Sequence, residues 1–283
     1  MLLLWVGGFA VQYLRDLRSW PPLLLGISFV AIKRVDWAPG LGVMILIMIV
    51  GAVADWVNRR RPWVSGRILA GVSLVFLLGS WVALFLDWNG AIHTNRHPVI
   101  LDDRPIVCVG DSLAARGFPG KLAERLAVPV VDLSRAGITA TEGRERLVEA
   151  LKLRPQAVVI ELGGHDFLKS RSRQETRAEL EAMILESRAV GAEVILFEIP
   201  RGVVMDGYGG LERELARKHD IEVIPDGAIR QLIFFSPLTP LGWTGRKLSN
   251  DGLHPNERGH AFMADRVGDA LRRVFGDGIV RDP

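Results

Sequence analysis

The sequence of 283 residues has very little cysteine and, after its first third, very little tryptophan. Its single cysteine, Cys108, excludes a disulfide bond within the chain. Because Cys108 lies in the apolar run Ile106–Val109, we expect it to be a small buried hydrophobic residue. Seven of the eight tryptophans precede residue 90, so the aromatic side chains are concentrated in the first part of the chain.

Excess charge of one sign is also missing from the second part of the chain. Residues 96–283 carry 27 lysine and arginine residues against 28 aspartate and glutamate residues. This balance offers no electrostatic attraction for a nucleic acid, and we predict no nucleic-acid partner. The basic excess lies instead in residues 1–95, with eight basic against four acidic residues.

Two long stretches of the basic part contain no charge at all. Residues 37–54 and 68–86 are each close to the ~20 apolar residues that cross a bilayer, and tryptophans flank both. We therefore predict a membrane region over residues 1–87, with spans at about 37–57 and 67–87. Up to two shorter spans precede them, at residues 1–14 and 20–32. A pair of buried core helices is the alternative interpretation.

The loop between the two predicted spans indicates their orientation. Arg59, Arg60, Arg61 and Arg67 lie in this loop, and short cytoplasmic loops are enriched in basic residues. The loop is therefore predicted to be cytoplasmic. Everything after the second span is then extracytoplasmic, with the protein in the inner (cytoplasmic) membrane. Residues 88–103, which are polar and lack periodicity, are predicted to be a linker.

From residue 104 onwards, short apolar segments alternate with amphipathic ones. We predict strands at residues 105–109, 128–133, 157–162, 193–199 and 221–224, and helices at 120–127, 142–151, 174–190, 211–219 and 257–275. This alternation predicts an α/β domain over residues 104–283, with a parallel sheet covered by helices on both faces. Sites in such sheets lie at the carboxyl ends of the strands.

Polar motifs follow the predicted strands. Ser112, in the run Gly-Asp-Ser-Leu, follows the first strand at a strand-to-helix turn, where Asp111 is expected to organise the turn. Near the last helix, Asp251 precedes His254 by three residues and can accept a hydrogen bond from its Nδ1–H, which would fix the ring for proton transfer. Taken alone, such a pair is also compatible with half of a metal site or with a capping turn.

Together these motifs resemble the SGNH (GDSL-type) hydrolases, in particular their bacterial arylesterase, thioesterase and lysophospholipase branch. Four blocks occur in the family's order: Gly110–Leu113, the glycine Gly137, Gly163–Asp166 and Asp251–His254. The resemblance implies a three-layer α/β/α sandwich with a parallel, flavodoxin-like sheet. It also implies a Ser112, His254 and Asp251 triad that cleaves esters without a cofactor or a metal.

The resemblance further implies an oxyanion hole formed by the N–H groups of Ser112 and Gly137 and by a third side chain. The family has asparagine at this third position, where the present chain has His165. A neutral imidazole still offers one N–H donor, so His165 is predicted to replace the asparagine. An impaired hole is the alternative, and a metal role for His165 with Asp166 lacks a third ligand in the sequence.

The function that follows is hydrolysis of carboxylic or thio esters through an acyl-enzyme, on a small-molecule or lipid substrate of the cell envelope or on acylated glycans. An O-acyltransferase acting on an envelope glycan uses the same triad and remains open. So does a non-catalytic, membrane-anchored sensor domain, for which His165 is the only support. The sequence does not indicate an oligomeric state.

Two further segments are candidates for substrate contacts. Residues 234–247 contain several large apolar side chains and form either a lip for an acyl chain or an ordinary packed loop. Lys169, Arg171 and Arg173 follow the third block, and they either meet an anionic head group or form a solvated loop.

Overall fold

The computed structural model describes residue 57 and, later in the chain, residues 99–115, 117–201, 207–226 and 248–281. The chain divides into two compact units, Met1–Gly90 and Ala91–Pro283, and every element named below belongs to the second. Apart from Val57, the predicted membrane spans lie outside the described residues. Within the described residues, no helix is long and apolar enough to cross a bilayer.

Five parallel strands form one sheet. They are β1 (Ile106–Gly110), β2 (Val130–Asp132), β3 (Ala157–Glu161), β4 (Glu193–Phe197) and β5 (Glu222–Ile224). Their order across the sheet is β2-β1-β3-β4-β5, which is the flavodoxin-like order, and it confirms the predicted parallel α/β fold. Strands β1 and β3 lie in the middle and are completely buried, as their almost uninterrupted apolar sequences require.

Helices flank the sheet. They are α1 (Phe118–Ala123), α2 (Ala140–Ala150), α3 (Gly164–Leu168), α4 (Arg173–Ala189), α5 (Leu211–His219) and α6 (Glu257–Phe275). Single 3₁₀ turns follow α2 and α6, at Leu151–Leu153 and Asp277–Ile279. Helix α6 has the predicted bounds, and the Asn256 side chain caps it by accepting the Gly259 N–H at 3.0 Å. Capping boxes at Thr139 and Ser172 begin α2 and α4 slightly before the predicted starts.

The main core lies between one face of the sheet and the α1–α6 pair. Because side chains alternate along a strand, Ile106 and Cys108 of β1 point into this core, together with Phe118 of α1 and Met263 of α6. Helices α2 and α4 pack on each other and contact β1 and β4. Cys108 is fully buried, as the sequence predicts, and burial raises the pKa of its thiol.

Besides small shifts at the ends of α2, α4 and several strands, three elements differ clearly from their sequence-based predictions. Helix α1 begins earlier than expected, with Pro119 in its first turn, and ends at Ala123. The second strand is shorter than predicted and begins after Pro129, which has no N–H group to donate and only accepts the Ile106 N–H at 2.8 Å. Helix α3 was not predicted, since its five residues are too few for an apolar period to show.

Candidate active site

Ser112 lies in a turn directly after β1, at the carboxyl edge of the sheet. The turn is closed by a hydrogen bond from the Ala115 N–H to the Asp111 carbonyl at 2.9 Å. A further bond, from the Leu113 N–H to Oδ1 of Asp111 at 3.1 Å, supports the organising role expected of Asp111. The turn that holds Ser112 is separate from α1, which begins six residues later, at Phe118.

The aspartate and histidine of the last motif are in contact. Oδ2 of Asp251 lies 2.8 Å from Nδ1 of His254, which is the predicted hydrogen bond. Oδ1 of Asp251 accepts the backbone N–H groups of Leu253 and His254 at 2.9 and 2.7 Å, and the Ser249 hydroxyl donates to it at 3.1 Å. These four bonds fix the carboxylate and, through it, the orientation of the imidazole.

The same bonds determine the charge of Asp251. The hydrogen bond to the His254 ring and those from the backbone amides of His254 and Leu253 hold the pKa of the Asp251 carboxyl well below its usual range. Asp251 is therefore ionised at neutral pH. An ionised carboxylate at Nδ1 leaves Nε2 of His254 as the nitrogen that can accept a proton.

Gly137 lies in the loop after β2, which runs beside the end of β1. The Arg135 N–H donates to the Gly110 carbonyl at 3.0 Å, so the loop and the Ser112 turn are tied together. Gly137 has a φ of 81°, a left-handed conformation that favours glycine. Gly137 and Ser112 thus each lie two residues after an end of this bond.

His165 lies next to Gly137. A Cβ atom placed on Gly137 would be 3.8 Å from both Cε1 and Nε2 of the His165 ring. The third block is also held against the first, since a Cβ atom placed on Gly164 would lie 3.1 Å from Oδ2 of Asp111. Residues from the first, second and third blocks therefore meet at one edge of the sheet.

The three groups predicted for the oxyanion hole have free donors. Within the part of the chain that the structure describes, the backbone amides of Ser112 and Gly137 bond to no acceptor, and neither ring nitrogen of His165 makes a hydrogen bond. Amides left unbonded beside a potential nucleophile are available to a developing oxyanion.

Helix α6, which follows the fourth block, packs against α1, which follows the first. A Cβ atom placed on Gly117, five residues after Ser112, would lie 3.3 Å from Cδ2 of His260 in α6. Nζ of Lys121 also lies 3.3 Å from Oε1 of Glu257. Among the described residues, Ser112 and His254 share no hydrogen bond. Proton transfer between them stays a prediction, and such contacts often form only with substrate.

The residues after the third block mostly bind within the domain. Nη1 of Arg171 donates to the Thr141 hydroxyl at 2.7 Å, and Nη2 of Arg173 donates to Glu214 at 2.8 Å. Lys169 lies beside the predicted oxyanion hole, with its Nζ 3.5 Å from the Gly137 carbonyl and half of its side chain exposed. The predicted lip at residues 234–247 lies outside the described residues.

Asp166 has a structural role. Its side chain is completely buried, and its Oδ2 accepts the Ala140 N–H at 2.8 Å while Arg171 lies 3.7 Å from Oδ1. Burial raises its pKa, and the Ala140 amide opposes that shift. Within the described ranges, no group of three histidine, cysteine or acidic side chains is arranged to hold a metal.

Three residues that form hydrogen bonds with the predicted motifs were not identified from the sequence. Ser249 donates to Asp251, Arg201 donates from Nε to the Gly163 carbonyl at 2.9 Å, and Glu161 accepts the Asp111 N–H at 3.2 Å. A glutamate that ends a fully buried apolar strand is unusual, so Glu161 left a signal in the sequence. Ser249 and Arg201 left none, because they act through the fold of their loops.

The first glycine of the Ser112 motif gives a testable prediction. A Cβ atom on Gly110 would lie 2.5 Å from the Ala114 Cβ and 2.8 Å from Oε2 of Glu161. We expect Gly110→Ala to lower the free energy of unfolding by about 1–3 kcal/mol, because the turn that carries Ser112 must move. Chemical denaturation measures this effect.

Gly120→Ala is the matched control for this prediction. No atom lies within 4 Å of a Cβ placed there, and alanine favours the helix that contains Gly120. We expect Gly120→Ala to leave stability unchanged or slightly raised. Equal stability of the two variants would contradict the close packing at Gly110.

The parallel sheet has unbonded amides at its carboxyl edge, and a hydrogen bond joins Asp251 and His254. This combination points to the α/β enzymes that hydrolyse esters. The chain matches the GDSL-like Lipase/Acylhydrolase family over residues 108–262, which is more than half of its length. The protein therefore belongs to this family of esterases, as the four sequence blocks indicate.

Several characterised proteins are similar to the chain. Thioesterase 1/protease 1/lysophospholipase L1 of Escherichia coli is 27% identical over 182 residues, covering 59% of this chain and 83% of the relative. Esterase TesA of Pseudomonas aeruginosa is 29% identical over 190 residues, covering 60% and 89%. These relatives confirm the expected branch of the family.

A solved structure supports the fold. The Bacillus subtilis protein YXIM superposes with a TM-score of 0.50 at 23% identity, covering 63% of this chain and 58% of that one. This likeness shows the shared α/β architecture.

Proposed function

We propose that the chain hydrolyses carboxylic or thio esters through an acyl-enzyme formed on Ser112. The proposal is carried by the unbonded donors on Ser112, Gly137 and His165, which lie beside a turn serine at the carboxyl edge of the sheet. The hydrogen bond between Asp251 and His254 adds a pair suited to proton transfer. The names of the relatives, a thioesterase/lysophospholipase and an esterase, support ester and thioester substrates.

In the proposed reaction, Nε2 of His254 takes the proton of the Ser112 hydroxyl as Oγ attacks the ester carbonyl. Asp251 stabilises the imidazolium that forms. The carbonyl oxygen becomes an oxyanion, which accepts hydrogen bonds from the amides of Ser112 and Gly137 and from the ring of His165.

Collapse of the tetrahedral intermediate expels the alcohol or thiol, which leaves with the proton from His254. Water then attacks the acyl-enzyme, with His254 again as the base, and releases the acid and free Ser112. No cofactor enters this sequence.

We further propose that residues 1–87 anchor the enzyme in the inner membrane and that the domain from residue 104 faces the extracytoplasmic side. The support is the pair of uncharged stretches and the four arginines between them. This location favours lipid esters or acylated glycans of the envelope as substrates. A reporter fused after Pro283 should be active outside the cytoplasm, and activity only inside would contradict the orientation.

The role of His165 gives a second prediction. We expect His165→Ala to lower kcat by roughly 10²–10³-fold, the usual cost of losing one oxyanion donor. His165→Asn should keep kcat within tenfold, because asparagine also offers an N–H group. Turnover of p-nitrophenyl butyrate by the purified full-length protein measures both.

His219→Ala is a matched control, since His219 pairs with Glu181 on α4, outside the groups assigned to the reaction, and should leave kcat unchanged. Wild-type kcat in His165→Ala would show that the ring does not contact the oxyanion. If the ester were consumed only after a glycan acceptor had been added, the protein would be an O-acyltransferase.

A further inference from the structure

Glu161 ends the central strand of the sheet, where a charged group is costly. Its side chain is completely buried, and Oε1 is buried with no hydrogen-bond partner among the described residues. Burial, and next to it the charge of Asp111, raise the pKa of the Glu161 carboxyl well above its usual value. The proposed catalytic steps do not use this group.

The contacts of Glu161 are with the turn that carries Ser112. Oε2 accepts the Asp111 N–H at 3.2 Å, and the main-chain oxygen of Glu161 accepts the same N–H at 3.1 Å. The Ala114 amide also acts on this carboxyl group, since it lowers the pKa of Glu161 against the effect of burial. The side chain thus binds the backbone directly before Ser112.

Asp111 complements these contacts from within the turn. Asp111 is 3% exposed, its carboxyl group accepts the Leu113 N–H, and burial raises the pKa of that group. The amides of Asp111 and Leu113 are therefore each bound to one of the two carboxyl groups. The amide of Ser112 lies between them and bonds to no acceptor among the described residues.

We propose that Glu161 is a positioning residue, whose carboxyl group holds the backbone of the nucleophile turn so that the Ser112 N–H and hydroxyl face the ester carbonyl. This inference rests on the proposed function of Ser112. For this role Glu161 must place an acceptor oxygen at the Asp111 N–H. The length of the side chain is therefore more important than its negative charge. Displacing the turn by a small distance would misalign both Oγ and the amide donor.

Two conservative substitutions separate reach from charge. Glu161→Gln keeps the length and an acceptor oxygen without a charge, and Glu161→Asp keeps the carboxyl group but withdraws it by one methylene group. We expect Glu161→Gln to keep kcat within threefold. Glu161→Asp should lower kcat at least tenfold with KM within threefold, and it should slow fluorophosphonate labelling of Ser112 by a similar factor.

Glu222→Asp is the matched control. Glu222 is a buried glutamate at the first residue of β5, where it pairs with Arg273 away from the carboxyl edge of the sheet. The Glu222→Asp substitution should leave kcat within threefold of the wild-type value, even if it lowers the melting temperature. Wild-type kcat in Glu161→Asp, or a tenfold loss in Glu161→Gln, would overturn the proposal.

Hydrogen–deuterium exchange of the full-length protein tests the same contact without turnover. The peptide that contains Asp111 and Ala114 should exchange faster in Glu161→Asp than in the wild type, and at an unchanged rate in Glu161→Gln. Equal exchange in all three proteins would overturn the proposal. Absence of Ser112-dependent turnover in the wild type would instead contradict the proposed function.

Discussion

Ser112→Ala should abolish ester hydrolysis. Without Oγ no acyl-enzyme forms, and the Asp251–His254 pair has no group to activate. Removing the nucleophile of a comparable triad lowers kcat by roughly 10⁴–10⁶-fold, and we expect a loss of this size. The measurement is the initial rate with p-nitrophenyl butyrate, using the purified full-length protein.

Ser134→Ala is the control for this result. Ser134 lies in the loop after β2, and its buried hydroxyl has no hydrogen-bond partner among the described residues. Its removal should leave kcat within threefold. Turnover that survives in Ser112→Ala at more than a few per cent of the wild-type rate would place the nucleophile elsewhere.

Arg201→Met should have the largest effect on stability. Arg201 and Glu212 form an ion pair in which each side chain is 1% exposed, and the Arg201 guanidinium also lies 4.9 Å from the Tyr208 ring centre. Removing one partner leaves the other charge buried without it. Breaking such pairs costs about 3–5 kcal/mol, and we expect a loss in this range by chemical denaturation.

The same substitution should also reduce turnover. Nε of Arg201 donates to the Gly163 carbonyl, which directly precedes the helix that carries His165. A double variant, Arg201→Met with Glu212→Gln, should recover part of the stability, because the remaining buried charge is removed. It should not recover the turnover.

Arg272→Met is the matched control, because it removes an exposed arginine by the same substitution. Arg272 pairs with Asp269 on the surface of α6, and each side chain is more than two-fifths exposed. Exposed pairs contribute little, so we expect a change of at most ~1 kcal/mol. An equally small effect of Arg201→Met would contradict a stabilising role for the buried pair.

Much of the fold could be predicted from the sequence because local patterns determine it. Uninterrupted apolar runs specify β1 and β3, which are buried on both faces. The helix after Asn256 was predicted to the residue, since its apolar period is long and its cap is a side chain. Short elements were predicted less well. The predicted second strand included Pro129 and was longer than β2, and α3 was not predicted.

The candidate site was partly visible for a similar reason. Asp251 and His254 are three residues apart, so their hydrogen bond is a local property of one loop and could be predicted. The contacts of Glu161 with Asp111 and of Arg201 with Gly163 join residues 50 and 38 positions apart. Such contacts depend on sheet register and on loop paths, which no local pattern specifies.

The most direct test of the account is the identity of the nucleophile. The full-length protein would be incubated with a fluorophosphonate and digested, and the modified peptide would be located by mass spectrometry. We predict a single adduct on Ser112, lost in Ser112→Ala and formed at the wild-type rate in Ser134→Ala. A folded protein that forms no adduct, or an adduct on another residue that persists in Ser112→Ala, would contradict the assignment of a serine ester hydrolase.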